Sequence, residues 1–218
     1  DEDQSQGAVA LEALCQKYWP PLYLFVRKSG FAAPDAEDIT QAFFLRLVEK
    51  KFHLAADQER GRFRTFLLGS MKNFVSNWRR DAGRLKRGGG AEMVSLDLED
   101  AEQLVADELK SSDDPEVTFH RNWAHRLLEL AGRRVAGAFE RAGQTDRHEA
   151  LRACLENPEE LPPYPELAER LGISESAVRS AVARMREQFR EYYRDEVAQV
   201  VMSREEVDQE IKALMNSF

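Results

Sequence analysis

The sequence predicts an all-α protein of two small helical domains joined by a flexible acidic linker. Three observations predict it. Apolar residues recur at three-four spacing along most of the 218 residues, the period of a helix with one buried face. The charge reverses abruptly in mid-chain: from Arg60 to Arg87 nine Lys or Arg stand against Asp81 alone, whereas Glu92 to Glu116 holds ten acids against Lys110. Between these blocks Gly88-Gly89-Gly90 breaks the helix, and the acidic stretch has few large apolar residues with which to build a core. Finally, Tyr164 to Tyr192 reads as two helices joined by a tight turn.

In chain order, Leu11, Leu14, Cys15 and Tyr18 form a stripe that Leu22 and Phe25 resume. Pro20-Pro21 is expected to kink or divide this helix, and Gly30 to end it. Asp35 suits an N-cap, after which Ala36, Ile39, Thr40, Phe43, Phe44, Leu47 and Val48 keep strict helical spacing. The opposite face carries Glu37, Asp38, Gln41 and Arg46, by default a solvated surface. Phe52 to Gly61 reads as a loop, followed by the helix GRFRTFLLGSMKNFVSNWRRDAGRLKR. Its Phe63, Phe66 and Leu67 stand at core spacing, while Asn73, Trp78 and the cations from Arg79 to Arg87 suit nucleic acid. Bases stack on rings there, and Lys and Arg neutralise phosphates.

The second domain is expected to begin near Phe119, with Trp123, Leu127, Leu128, Leu130 and Ala131 in its core ahead of Val135 and Phe139, and with Leu151 and Leu155 on another helix. In the paired helices, Pro165 fits a first turn, and Leu167, Ala168 and Leu171 form an apolar edge. Gly172 permits a left-handed stop, Ile173 plugs the corner, and Ser174 caps the next helix. Val178, Val182, Met185 and Phe189 then face inward. Ser176, Arg179, Ser180, Ala183 and Arg190 face outward, with Arg184 and Arg186 on the flanks. Short side chains allow close approach and arginines reach guanine edges or phosphates, so this face suits a major groove. Ser203 and Glu206 fit a capping box for a last helix bearing Val207, Ile211, Leu214, Met215 and Phe218, expected to dock on its own domain rather than on a partner.

Composition narrows the function classes. The net charge of −8 argues against a uniformly basic coat, so DNA binding has to come from local patches. No apolar run approaches the roughly 20 residues needed to span a bilayer, and the opening DEDQSQGAVA lacks the parts of a signal peptide, so a cytoplasmic location without membrane attachment is expected. Cys15 and Cys154 give neither a disulfide framework nor a zinc site, and His120 and His125, five apart, suit packing rather than a metal. No nucleophile, base and orienting group converge, so no catalytic residue, metal or cofactor is expected and the chain is not read as an enzyme.

Taken together, DAEDITQAFFLRL at Asp35 to Leu47, RGRFRTFLL at Arg60 to Leu68, KRGGG at Lys86 to Gly90 and YPELAERLGISESAVRSAVARMR at Tyr164 to Arg186 resemble the extracytoplasmic-function group of bacterial RNA polymerase sigma factors. FHRNWAHRLLE at Phe119 to Glu129 and the tail from Val197 look like a subgroup with a C-terminal helical extension. The resemblance implies sigma region 2 over residues 8–90, an acidic linker over 91–117, sigma region 4 over 118–197 and the extension over 198–218. It implies a factor that binds core RNA polymerase, directs it to promoters and melts the minus-ten element. Asp35, Glu37, Asp38 and Gln41 match positions that bind the clamp helices of the largest subunit, and the flap region is a further implied contact. Arg60, Asn73, Trp78, Arg79, Arg80, Arg84, Lys86 and Arg87 would meet minus-ten DNA, with Asn73 and the Phe52 to Gly61 loop forming a pocket for a flipped base. Ser176, Arg179, Ser180, Ala183, Arg184 and Arg186 would read the minus-thirty-five element. The linker would lie along the channel that later carries RNA.

The chain departs from the family pattern at Glu59, where an aromatic residue is common, at Asn77, where Asp is frequent, and at Ala181, where arginine is common. An anti-sigma factor or a Ser/Thr kinase is a partner class left open. The alternatives are a helix-turn-helix regulator that acts without polymerase, which leaves the DAED helix unexplained, and a protein-interaction adaptor docking through its last helix.

Overall fold

The computed structural model describes residues 17–49, 63–81, 105–106, 108–156, 161–199, 201 and 206–215. The described residues are helical, with turns between helices and no strand among them. No described helix is long and apolar enough to cross a membrane. The chain forms two compact units, one of Asp1–Arg126 with Val200–Phe218 and one of Leu127–Gln199. The first unit is therefore discontinuous in sequence.

In the first unit, α1 (17–28) is helical straight through Pro20 and Pro21. Among the described residues the prolines do not divide the helix, and their fixed φ of about −65° is itself a helical value. Gly30, at φ 94, lets the chain turn as expected. Helix α2 (Ala33–Glu49) starts two residues before Asp35, which lies in its first turn and is not its cap. There the carboxylate still favours the positive end of the helix. Ala36, Ile39, Phe43, Phe44 and Leu47 are buried, and the Thr40 hydroxyl donates to Ala36 O at 2.7 Å, which satisfies it inside the core. Helix α3 (Phe63–Asp81) contributes Leu67, Leu68, Met71 and Val75 to the interior. Phe74 of α3 meets Phe43 of α2 edge-on at 5.7 Å.

The expected flexible linker is tied down at its far end. Val105 is buried, and Lys28 Nζ donates to the carbonyls of Glu108 and Ser111 at 2.5 and 2.6 Å. Arg121 pairs with Glu108 at 2.6 Å and with Asp113 at 2.8 Å. An acidic run looked unable to bury surface, but Arg121 pairs with two of its acids and Lys28 binds two of its backbone carbonyls. The Ser111 hydrogen bond and then Arg121 hold the Asp113 carboxyl below its ordinary range. Residues 91–104 of that linker lie outside the described residues.

Helix α4 (Pro115–Arg141) starts earlier than expected, where Asp114 Oδ1 accepts from Glu116 N at 2.8 Å. The boundary between the units falls inside it, after Arg126. Phe119 and Trp123, expected in the second core, are fully buried in the first unit instead. Tyr18 stacks on Trp123 at 5.7 Å, and burial pushes its phenol pKa upward. Helical spacing identified Phe119 and Trp123 as core residues, but it does not say which core.

The second unit packs the rest of α4 with α5 (Thr145–Leu151), α6 (Ala153–Glu156), α7 (Tyr164–Leu171) and α8 (Glu175–Ala198). Its core is Val135, Leu151, Cys154, Leu167, Val178, Ala181, Val182 and Met185, with Phe139, Ile173 and Phe189 packed against it. At its rim Arg134 lies 4.2 Å over the Tyr192 ring and pairs with Asp195 and Glu196, each at 3.1 Å.

The last helix, α9 (Glu206–Met215), belongs to the first unit, not to the domain that precedes it. Val207 and Leu214 are buried as the apolar spacing requires, but Met215 is half exposed. The third buried residue is Glu210, whose carboxylate pairs with Arg64 of α3 at 3.1 Å. Arg64 in turn sits 4.8 Å over the Trp123 ring. Ser203 and Phe218, assigned to this helix as cap and apolar stripe, lie outside the described residues.

Candidate nucleic-acid interface

The second unit builds its outward face from local signals. Gly172 closes α7 at φ 65, with its N–H bonded back to Ala168 O and Glu169 O. A residue with a Cβ would be strained at that angle. Ile173 tucks against the core, and Ser174 Oγ accepts from Ala177 N at 3.3 Å, which caps α8. With α8 started there, Val178 and Val182 face the core and the opposite side of its first turns is exposed. Ser176, Arg179, Ser180, Ala183 and Arg184 are all exposed there.

Glu175, Ser176, Arg179, Ser180 and Ala183 line one shallow open depression. Arg179 leans over the Tyr164 ring at 5.8 Å, so its guanidinium is held on the α7 side of this surface. Ser180 Oγ donates to Ser176 O at 2.9 Å, leaving its lone pairs as acceptors for an incoming donor. Glu175 was not singled out from the sequence, because an acid in the first turn of a helix is what the helix dipole alone would favour. Its place in the depression makes it a further candidate, since a carboxylate accepts from cytosine N4.

Two residues in the expected arrangement behave differently. Arg186 is spent inside the unit: its Nε and Nη2 donate to Cys154 O at 3.2 and 2.9 Å, satisfying a carbonyl near the end of α6. Its guanidinium is engaged within the unit rather than presented on the exposed face. Ala181 is buried in the core and offers nothing to a groove. Arg184 stays exposed, on a second depression shared with Arg147, Glu187 and Glu191.

In the first unit the polar face of α2 presents Asp35 and Asp38, both exposed, beside Glu37 and Gln41. Gln41 Nε2 donates to Glu37 Oε1 at 3.2 Å, one helical turn apart, which aligns an amide and a carboxylate on a rigid support. Arg46 does not continue this face, because it turns onto the Phe74 ring at 5.8 Å. On α3, Asn73 and Arg80 are exposed, seven residues apart and so on one stripe, with Arg80 donating to Asn77 Oδ1 between them. Trp78 is half-buried against Phe74, with ring centroids 6.0 Å apart.

Arg79 donates to Ser29 O and covers the Phe31 ring at 5.0 Å, which ties α3 to the turn after α1. Its guanidinium is engaged within the chain, as that of Arg186 is. Arg60, Arg84, Lys86, Arg87 and the Phe52 to Gly61 loop lie outside the described residues. Neither of the two histidines set aside as packing residues gathers ligands. Burial, and then the Arg64 charge, lowers the His120 pKa to about 4, and burial followed by Arg121 lowers that of His125. Among the described residues no three His, Cys, Asp or Glu group as metal ligands.

Compared with protein families, curated proteins and solved structures, the chain matches none of them.

Proposed function

We propose that this chain is a transcription initiation factor of the extracytoplasmic-function sigma type, without enzymatic activity of its own, working in the cytoplasm. The observation that carries the reading is the corner at Gly172 and Ser174, followed by a short-side-chain, arginine-bearing face of α8 that is exposed opposite the hydrophobic cluster. The second unit would read the minus-thirty-five element through Ser176, Arg179, Ser180, Ala183 and Arg184. Phosphate contacts would position the helix, and base edges would specify the site.

The first unit would divide its two helices between two partners. The carboxylates and amide of α2, at Asp35, Glu37, Asp38 and Gln41, suit arginines on the clamp helices of core polymerase. Asn73, Trp78 and Arg80 of α3 would contact the minus-ten strand, where one cation and one ring suit an unstacked base and its phosphate. This reading accounts for two oppositely charged surfaces on one unit, which a regulator acting on duplex DNA alone does not need.

The experiment is co-elution with core RNA polymerase followed by run-off transcription. Wild-type protein should co-elute and support promoter-specific transcripts, and Asp38→Arg should lose at least about ten-fold in core affinity, as truncating or reversing a close charge pair does. A wild-type chain that stays unbound to core refutes the reading.

A further inference from the structure

We propose that Tyr164 is a positioning residue for the DNA-reading face of α8, holding the Arg179 guanidinium in place and clear of Glu175; this deepens the function proposed above and rests on it. Tyr164 opens α7 between Pro163 and Pro165. Each proline fixes its own φ, and Pro165 also restricts the backbone of the residue before it, so the tyrosine is presented from a stiff segment. Its ring is half-buried and packs against the hydrophobic cluster of the second unit. Arg179 lies over that ring at 5.8 Å, within the range of about 6 Å at which an aromatic face attracts a cation. The exposed arginine is thereby referred to the core through a ring that cannot easily move.

The kind of contact matters as much as its presence. An arginine held by a carbonyl uses its N–H donors, as Arg186 does on Cys154 O. A ring face takes none of them, so the planar fork of Arg179 keeps its donors for guanine O6 and N7 or for a phosphate. Glu175 supplies the competing contact. It stands one helical turn before Arg179, the spacing and order at which an acid and an arginine pair along an exposed helix. Among the described residues the two form no ion pair, although both line the same depression. Paired with each other, they would withdraw a donor and an acceptor from the surface at once. With Arg179 drawn to the α7 side, both remain available to base edges of opposite chemistry. Holding the side chain before DNA arrives also removes rotamer freedom that binding would otherwise have to freeze.

A double-mutant cycle tests this, read by fluorescence anisotropy of the full chain, alone and with core RNA polymerase, on a duplex that the wild type recovers from a randomised pool. Tyr164→Leu should weaken binding about three- to five-fold, the worth of one exposed ring–cation contact. Tyr164→Phe keeps the ring and should restore most of that loss. In an Arg179→Ala background Tyr164→Leu should have no further effect, because the group it positions is gone. In a Glu175→Gln background the loss from Tyr164→Leu should shrink, because the competing carboxylate is gone. Preference for the base pair at which Arg179→Ala loses discrimination should fall in Tyr164→Leu as well. Denaturation of the same samples confirms folding, and Tyr164→Met carries the same expectations should leucine lower the unfolding midpoint. An equal loss from Tyr164→Leu with and without Arg179 overturns the positioning role, since the tyrosine would then act through the fold or touch DNA itself. Unchanged affinity in Tyr164→Leu overturns it too, and an undiminished loss beside Glu175→Gln overturns the part assigned to Glu175. In each of these cases the DNA-reading face stands. A wild type that recovers no duplex, alone or with core, sinks the DNA reading of α8 and the positioning role with it.

Discussion

The two units bury their charges differently. In the second, Val135, Leu151, Cys154, Leu167, Val178, Ala181, Val182 and Met185 form an apolar cluster, and Arg134, 37% exposed, pairs with the exposed Asp195 and with Glu196, 8% exposed. In the first, Arg64 and Glu210 pair in the interior, at 7% and 2% side-chain exposure, against Trp123 and near Tyr18. An apolar core loses stability mainly through cavities, whereas a core holding charge also loses it when counter-charges or solvent conditions change.

The largest expected effect breaks the first core. Trp123→Ala removes the ring on which Tyr18 stacks and over which Arg64 lies, and should cost about 3–5 kcal/mol. Leu151→Ala in the second unit should cost about 2–5 kcal/mol as a pure cavity. The probes separate the two units, because Trp19, Trp78 and Trp123 all belong to the first. In denaturant titrations of Leu151→Ala, the far-ultraviolet dichroism midpoint should fall while the tryptophan emission midpoint of the first unit stays near wild type. Coincident shifts of both probes would mean that the units unfold as one body and that the contrast has no energetic meaning.

How much of this was legible in the sequence depends on how local each signal is. The corner at Gly172, Ile173 and Ser174 is written in consecutive residues: a left-handed position, an apolar plug and a cap. The inward and outward faces of α8 follow from spacing alone, which is why Val178, Val182 and Met185 are buried and Arg179 and Ser176 exposed. Contacts between distant segments were not legible. Glu210 reads as one more acid on a surface helix, and only the position of Arg64 makes it a core residue. Residue identity does not show that Arg79 and Arg186 bond to carbonyls as remote as Ser29 O and Cys154 O. The acidic stretch before Pro115 read as linker for the same reason, since Lys28 binds its carbonyls and Arg121 pairs with its acids from elsewhere in the chain.

A smaller effect sharpens the difference between an arginine that reads and one that holds. Arg179→Ala should weaken promoter binding by about 1–3 kcal/mol while leaving the unfolding midpoint and core association unchanged, because its side chain is exposed and only leans over the half-buried Tyr164 ring. Arg186→Ala should do the reverse, costing about 1–2 kcal/mol of stability through the carbonyl it leaves without two charged donors, with DNA affinity per folded molecule unaltered. Fluorescence anisotropy on promoter duplexes, paired with denaturation of the same samples, distinguishes them. Loss of DNA affinity in Arg186→Ala without loss of stability would return that residue to the reading face.

The smallest expected effect is the pH response of the first unit. Burial, reinforced by the Arg64 charge, holds His120 neutral down to about pH 4, whereas in the unfolded chain it takes up a proton near 6.5. The unfolded state therefore binds more protons between those values, so stability rises with pH there and falls as pH is lowered from 6.5 towards 4. His120 is only about half removed from solvent, so screening reduces the full effect to about 1 kcal/mol. The tryptophan emission midpoint should thus drop across this window in the wild type, and His120→Gln should flatten the slope because no group at that position is left to titrate. Arg64→Met with Glu210→Met supplies the internal comparison. Removing the Arg64 charge should raise the His120 pKa and shrink the window from its lower end, and an unchanged slope in that variant would assign the whole shift to burial.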